Sequence, residues 1–328
     1  MKYLITGSTG FIGPRLVEKL VALGNSCRCL VRTGSKTKGL EELGAELVEG
    51  DITIPETLRG IADGMDGLFH LATLGHMGNF TVTESMFEAI NVQGTLNIME
   101  EALRAGTNLV IHCSTVAAMG ISLDLPATEK SECHPHQPYG RSKLKAEKAV
   151  LTLVSAKALP AVIVRFSMVY GPGDPRDILK LTRLAKKGLF PKIGNRPKLT
   201  PLIHVDDAVR GLLLAAEKGR TGNIYLLTNR TSLPFDDIRK ILQRALEVKR
   251  LPLYVPGWTA LTIASLAEKL FPLAGKAPPV SRKNIESTLA DRVFSIEKAQ
   301  LELGFDPKVD PVQGLTETVH WYREQGWV

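Results

Sequence analysis

Cysteine is scarce in this chain: four residues, Cys27, Cys29, Cys113 and Cys133, among 328. Four are too few for a disulfide scaffold, and they lack the spacing of a zinc site, so reduced thiols and no metal are expected. Aromatic residues make up only 6%. None interleaves with the basic group Lys180, Arg183, Lys186 and Lys187, which argues against base stacking and hence against nucleic acid as a partner. The spacing of those cations fits the solvated face of a helix. Long apolar runs are missing as well. The amino terminus meets Gly7 directly after Tyr3-Leu4-Ile5, which is too short for a secretory signal. The long uncharged stretch at residues 251–267 contains Pro252 and Pro256, so no membrane span is expected and the chain reads as cytoplasmic.

What is present describes a globular protein. Hydrophobic residues are 44% and charged residues 23%, the mean hydropathy is +0.02, and the net charge is +7. The first half alternates β-rich runs with amphipathic segments. Strands are expected at 2–6, 27–31, 46–48, 67–71, 109–113 and 161–166. Helices are expected at 11–23, 36–43, after Pro55, at 84–104 and at 139–157. Such alternation indicates an α/β fold with a doubly wound, Rossmann-type parallel sheet. After residue 170 proline and glycine become dense, as in Gly171-Pro172-Gly173-Asp174-Pro175. Residues 1–170 are therefore expected to form a nucleotide-binding domain, with about 200–230 packing back onto it. Residues 171–328 are expected to form mainly a smaller substrate-binding lobe.

The first strand runs into Gly7-Ser8-Thr9-Gly10-Phe11-Ile12-Gly13 and then into a helix opened by Pro14. A strand, a glycine turn and a helix let a pyrophosphate sit against backbone N–H groups at the positive helix end. The second strand ends without the acid that would hold the ribose hydroxyls of NAD. It continues as Arg32-Thr33-Gly34-Ser35-Lys36, and Arg32, helped by Ser35 and Lys36, suits a 2′-phosphate. NADP is the expected cofactor, with NAD as the alternative.

Tyr139 and Lys143 lie four residues apart, about one helical turn, so phenol and ammonium share a face. A tyrosine ionises near pH 10, and a neighbouring ammonium favours the phenolate a general base needs. Upstream, the strand at 109–113 leads into Ser114-Thr115, where a hydroxyl is placed to hold a substrate carbonyl.

With these stand Gly50-Asp51, His70-Leu71-Ala72, Asn91-Val92-Gln93-Gly94-Thr95, Arg165 to Gly173 and His204-Val205-Asp206-Asp207. In this order and spacing the chain resembles the extended branch of the short-chain dehydrogenase/reductase family over nearly its whole length. The resemblance implies Tyr139 as general acid/base, Lys143 as its partner and ribose anchor, and Thr115 as orienting hydroxyl, with Ser114 the alternative. It implies Asp51, with Ile52, at the adenine. Gly7, Thr9, Gly10, Phe11, Ile12 and Gly13 would hold the phosphates. Leu71, Ala72, Thr73, Asn91 and Cys113 would line the ribose path, and Phe166, Met168 and Val169 would flank the nicotinamide. A homodimer through 84–104 and 139–157 is implied too.

Two enzyme readings compete. Nucleotide-sugar epimerases and dehydratases carry an Arg-Pro-Gly-Asp-like run near 284–287, which this chain lacks. Residues 293–299, Leu303-Gly304-Phe305, Leu233-Pro234-Phe235 and His320-Trp321-Tyr322 resemble the steroid/sterol dehydrogenase and dihydroflavonol reductase-like branch instead. The expected activity is hydride transfer to or from a hydroxyl/carbonyl group of a fairly apolar small molecule. A catalytically silent cofactor-binding relative is disfavoured, because Tyr139 and Lys143 are both present. The stripe Trp258, Leu261, Ile263, Leu266, Leu270 and Phe271 reads first as a packed helix. Its sharper readings are a lid over an apolar substrate or a peripheral contact with a membrane surface. His76, Arg176 and His204 are the remaining candidates for contact with substrate.

Overall fold

Side chains alternate along β1 (Lys2–Thr6): Tyr3 and Ile5 enter one buried cluster and Leu4 another. A strand covered on both faces behaves this way. In the computed structural model, which describes all residues except 76–81, 122–123, 195, 197, 250–253 and 272–281, this strand lies inside a seven-stranded sheet. Its other strands are β2 (Ser26–Val31), β3 (Glu46–Glu49), β4 (Gly67–His70), β5 (Leu109–Thr115), β6 (Ala161–Phe166) and Ile224–Leu227. The order across the sheet is Ile224–Leu227, β6, β5, β4, β1, β2, β3, and every pairing is parallel. The winding reverses between β1 and β4, which opens a crevice at the carboxyl ends of those two strands. The protein is a Rossmann-type α/β fold.

Along the chain the helices run α1 (Gly13–Ala22), α2 (Lys38–Glu42), α3 (Glu84–Phe87), α4 (Gly94–Arg104), α5 (Pro138–Lys157), α6 (Asp177–Lys187), α7 (Val205–Lys218), α8 (Phe235–Ala245) and α9 (Gly257–Leu270). Leu16, Val17 and Leu20 of α1 cover one sheet face together with Ala208, Leu212 and Ala215 of α7. Ile98, Met99 and Ala102 of α4 cover the other with Val150 and Leu153 of α5. Each such aliphatic side chain taken from water contributes about 1.5–3 kcal/mol, so these two layers hold the sheet. A separate core of Tyr170, Leu179, Ile238, Leu242, Leu315 and Tyr322 lies beyond it.

Three local expectations change. Pro55 opens only a 3-10 turn, Pro55–Leu58, because Gly60 and Gly64 follow at positive φ and end it. Residues 84–104 are not one regular helix: between α3 and α4 the stretch Glu88–Gln93 is a π-helical segment. Such segments re-aim a side chain, here the buried Asn91. The apolar stripe of α9 does not pack inward as first read. Ala260 and Ala264 face the neighbouring helix Arg282–Leu289 through Ile285, while Trp258 is 73% exposed and Ile263, Leu266 and Leu270 are exposed too. The small alanines make the close contact, and that turns the large residues outward. Among the described residues no helix is long and apolar enough to cross a membrane.

Candidate active site

The glycine turn is set by steric limits that glycine alone meets. Gly7 has φ +72°, and a Cβ there would lie 2.7 Å from the Ala72 nitrogen; one on Gly13 would lie 2.4 Å from the Gly7 oxygen. The turn therefore packs backbone on backbone and delivers the amino end of α1 into the crevice. That helix has no acid in its first turn and no side-chain cap. Its N–H groups and dipole suit a pyrophosphate, so the residues fit a dinucleotide.

Past β2, Arg32 and Lys36 are exposed and Ser35 is half-buried. Lys36 and Thr9 line the same cleft beside the turn, together with Arg15. Asp51 Oδ1 accepts hydrogen bonds from the Thr53 amide (2.8 Å) and hydroxyl (2.7 Å). Burial raises its carboxyl, but those two bonds and the Arg32 charge outweigh it, leaving Asp51 below its ordinary range. Ile52 is buried against Gly94, where a Cβ would come within 2.8 Å of its side chain. Beyond β4, the Leu71 amide donates to the Thr6 carbonyl and the Ala72 amide to the Thr6 hydroxyl. Thr73 Oγ1 donates to Asn91 Oδ1 at 3.0 Å, and Asn91 Nδ2 donates to Ser142 Oγ at 3.0 Å. Asn91 thus braces the loop after β4 against α5.

The expected reacting groups lie on β5 and α5. Thr115 closes the strand and accepts a bond from the Ala117 amide at 3.2 Å. Tyr139 enters the first turn of α5 behind Pro138, half-buried, its ring 6.0 Å from that of Phe87. Burial pushes its phenol up to about 12, while the Arg176 guanidinium and the Thr115 hydroxyl pull it down. Lys143 is 2% exposed, and its Nζ donates to the Cys113 carbonyl at 2.7 Å. Burial lowers that ammonium to about 8.

Ser114 is turned away from the cleft. Its hydroxyl donates to Glu147, whose carboxylate also takes two bonds from Arg165, at 3.0 Å from Nε and 2.6 Å from Nη2. Of the two neighbouring hydroxyls, the one that meets Tyr139 is that of Thr115, while Ser114 is engaged by Glu147. Phe166 is also displaced from its expected role: its ring is 4% exposed and belongs to the sheet core. Met168 is half-buried and Val169 buried just beyond it. His204 caps α7, its Nδ1 accepting from the Asp206 amide at 3.3 Å, and it packs edge-on against Tyr170 at 5.3 Å. Buried in this way, it does not face a cleft. His76 lies outside the described residues.

Arg176 does come to the site. Its Nε donates to Asp174 Oδ1 (2.7 Å), its Nη2 to the Val169 carbonyl (3.0 Å), and its guanidinium lies 5.0 Å from the centre of the Phe11 ring. The sequence reading missed Glu147 and Asp174. Glu147 was detectable as the next residue, four on from Lys143, in the same helical stripe.

A family model described as the NAD dependent epimerase/dehydratase family matches residues 3–227. The chain belongs to the NAD-dependent epimerase/dehydratase family. It is 31% identical over 341 residues to a putative dihydroflavonol 4-reductase of Synechocystis, covering 99% of this chain and 96% of that one. It is 29% identical over 320 residues to the 4-hydroxy-2-methyl-3-oxo-4-farnesyl-3,4-dihydroquinoline-1-oxide ketoreductase of Stigmatella aurantiaca, covering 96% and 95%. Among solved structures it is similar to DesIV, the dTDP-glucose 4,6-dehydratase of Streptomyces venezuelae with NAD and TYD bound. The identity there is 27% and the TM-score 0.81, covering 100% of this chain and 98% of that chain. The chain is accordingly an NAD(P)-dependent enzyme of the extended short-chain dehydrogenase/reductase type, a family that includes reductases, dehydrogenases, dehydratases and epimerases.

Proposed function

We propose that this enzyme is an NADP-preferring reductase or dehydrogenase acting on the hydroxyl/carbonyl pair of a fairly apolar small molecule, with Thr115, Tyr139 and Lys143 as its reacting set. The observation that carries the reading is the convergence of all three at the carboxyl end of β5. Thr115 holds the substrate oxygen by donating to it. In reduction Tyr139 gives its proton to that oxygen; in oxidation it takes the proton back. Lys143, fixed on the Cys113 carbonyl, is charged at neutral pH and would anchor the ribose of a bound dinucleotide. The glycine turn, with Asp51, Ile52, Leu71, Ala72, Thr73 and Asn91, would hold a nicotinamide dinucleotide, which when bound would supply or receive the hydride.

The NADP preference rests on Arg32, Ser35 and Lys36, and on the missing acid at the end of β2. The apolar substrate class draws support from the ketoreductase and dihydroflavonol reductase relatives and from the outward apolar stripe of α9. We read that helix as a lid over a cleft between residues 1–170, with 200–230 packed onto them, and the later lobe. A homodimer through 84–104 and α5, and a cytoplasmic location, complete the proposal. Sedimentation of the purified enzyme at twice the chain mass checks the dimer. The deciding experiment is Tyr139→Phe. Turnover of any active ketone is expected to fall 100-fold or more, while the affinity for NADPH stays within about twofold. Unchanged turnover would overturn the assignment of Tyr139.

A further inference from the structure

Arg176 is fastened on three sides. Its Nε is bonded to Asp174, a carboxylate 2% exposed, and its Nη2 to the Val169 carbonyl. Its plane lies over the Phe11 ring. Asp174 is itself held by the chain beyond it, since Tyr322 donates to its carbonyl at 2.6 Å. A guanidinium held at two nitrogens keeps its remaining edge in one direction, and Nη1 has no hydrogen-bond partner among the described residues.

Topology says where that guanidinium sits. Phe11 follows β1, and Val169 lies three residues past the end of β6. In the sheet β4 and β5 stand between those two strands. A cation touching both Phe11 and Val169 therefore sits in front of the carboxyl ends of β4 and β5, the second of which ends at Thr115. Tyr139 shares that place, and Arg176 is the cation with the largest effect on its phenol.

We propose that Arg176 is a positioning residue of this reaction, supplying the fixed positive charge that faces the Tyr139 oxygen while the proton moves. The inference rests on the reading of Tyr139 as acid/base. It gives Arg176 a role distinct from that of Lys143. The Lys143 ammonium is committed to the Cys113 carbonyl and loses its charge near pH 8, whereas a guanidinium stays charged throughout the working range. The other groups around the phenol do not substitute for it. Asp177 and Cys113 push it the opposite way. On α3, Glu84 is paired with Arg141; Asp174 is paired with Arg176 itself.

In oxidation the substrate O–H bond breaks, the O–H bond of Tyr139 forms, and the hydride leaves the substrate carbon for the nicotinamide. That direction needs the phenolate, so its rate falls on the acid side of the Tyr139 pKa. Reduction needs the phenol, so its rate falls on the alkaline side. Removing a neighbouring positive charge raises the phenol pKa. The acid limb of oxidation and the alkaline limb of reduction should then both move upward.

The test compares wild type with Arg176→Gln and Arg176→Lys. In Arg176→Gln both limbs should move up by about one pH unit or more, so that at neutral pH oxidation suffers while reduction is retained. Arg176→Lys, which keeps the charge, should restore most of the shift. A readout without turnover or cofactor is the ultraviolet absorbance of phenolate, taken as the difference between each protein and its Tyr139→Phe counterpart. That titration should move upward by the same amount. Equal losses in both directions with unmoved limbs would make Arg176 a packing residue and overturn the proposal. So would an unmoved phenolate titration. If Tyr139→Phe itself left turnover intact, the phenolate titration would still decide whether Arg176 acts on that phenol.

Discussion

A buried ammonium weakens the fold that holds it, and Lys143 makes the effect measurable. Its side chain is 2% exposed and burial lowers its pKa from 10.5 to about 8. Between those two values the unfolded chain carries a proton that the folded chain does not. Stability contributed by this residue therefore rises with pH across that window and is lowest at and below neutrality. Integrating the two titration curves from pH 7 to pH 10 gives about 2.5 kcal/mol. Lys143→Met removes this dependence. The stability of the variant minus that of wild type should fall by about 2.5 kcal/mol between pH 7 and pH 10, while activity is lost at every pH. Losing the bond to the Cys113 carbonyl lowers the variant by about 1–3 kcal/mol, a nearly constant offset that leaves the slope intact. Urea unfolding at four pH values measures the difference, and titrations common to both proteins cancel. A difference, variant minus wild type, that stays flat to within about 1 kcal/mol, or that rises with pH, would refute the reasoning.

Arg32→Ala should weaken NADPH binding about 10- to 100-fold, the worth of a charge-assisted contact at a partly screened site, and change NADH binding less than threefold. Fluorescence titration with both cofactors decides it, and equal losses would remove the basis for NADP. Gly13→Ala forces a Cβ to within 2.4 Å of the Gly7 oxygen. Dinucleotide affinity should drop at least tenfold, whereas Gly39→Ala, with open space around its Cβ, should bind as wild type does. Glu147→Gln breaks a pair whose side chains are 3% and 1% exposed, which costs about 3–5 kcal/mol. At about 2.1 cal/mol/K of unfolding entropy per residue, calorimetry should show a fall in Tm of about 4–7 °C; a fall below about 1 °C would mean that the pair holds little.

The parts of this protein legible beforehand are those governed by local rules. Short β-rich apolar runs located the six amino-terminal strands to within a residue or two, and the spacing of Gly7, Gly10 and Gly13 between strand and helix located the turn. Tyr139 and Lys143 were readable because a four-residue spacing means one helical face. What failed depended on partners far along the chain. Ser114 and Thr115 are neighbours with the same chemistry, and only the buried Glu147–Arg165 pair, contributed by α5 and β6, decides which of them is engaged. His204 reads as a candidate for contact with substrate until its bond to the Asp206 amide makes it a cap. The α9 stripe obeys helical periodicity, yet periodicity alone does not say which side of a helix meets its neighbour. Here the alanines do.

The same geometry explains why this site tolerates a buried charge at all. Three successive residues of β5 are each tied to α5. The Cys113 carbonyl receives Lys143, the Ser114 hydroxyl reaches Glu147, and the Thr115 hydroxyl acts on Tyr139. On the helix those partners are residues 139, 143 and 147, one stripe at four-residue intervals. A slide of α5 by one residue would break all three contacts together. Ser114 lies opposite Arg165 in the sheet, so the Glu147–Arg165 pair fastens that helix to two strands at once. The two outer contacts lie at the chemistry and the third lies beneath it. The least exposed ion pair among the described residues therefore fixes the helix register on which the tyrosine and lysine depend.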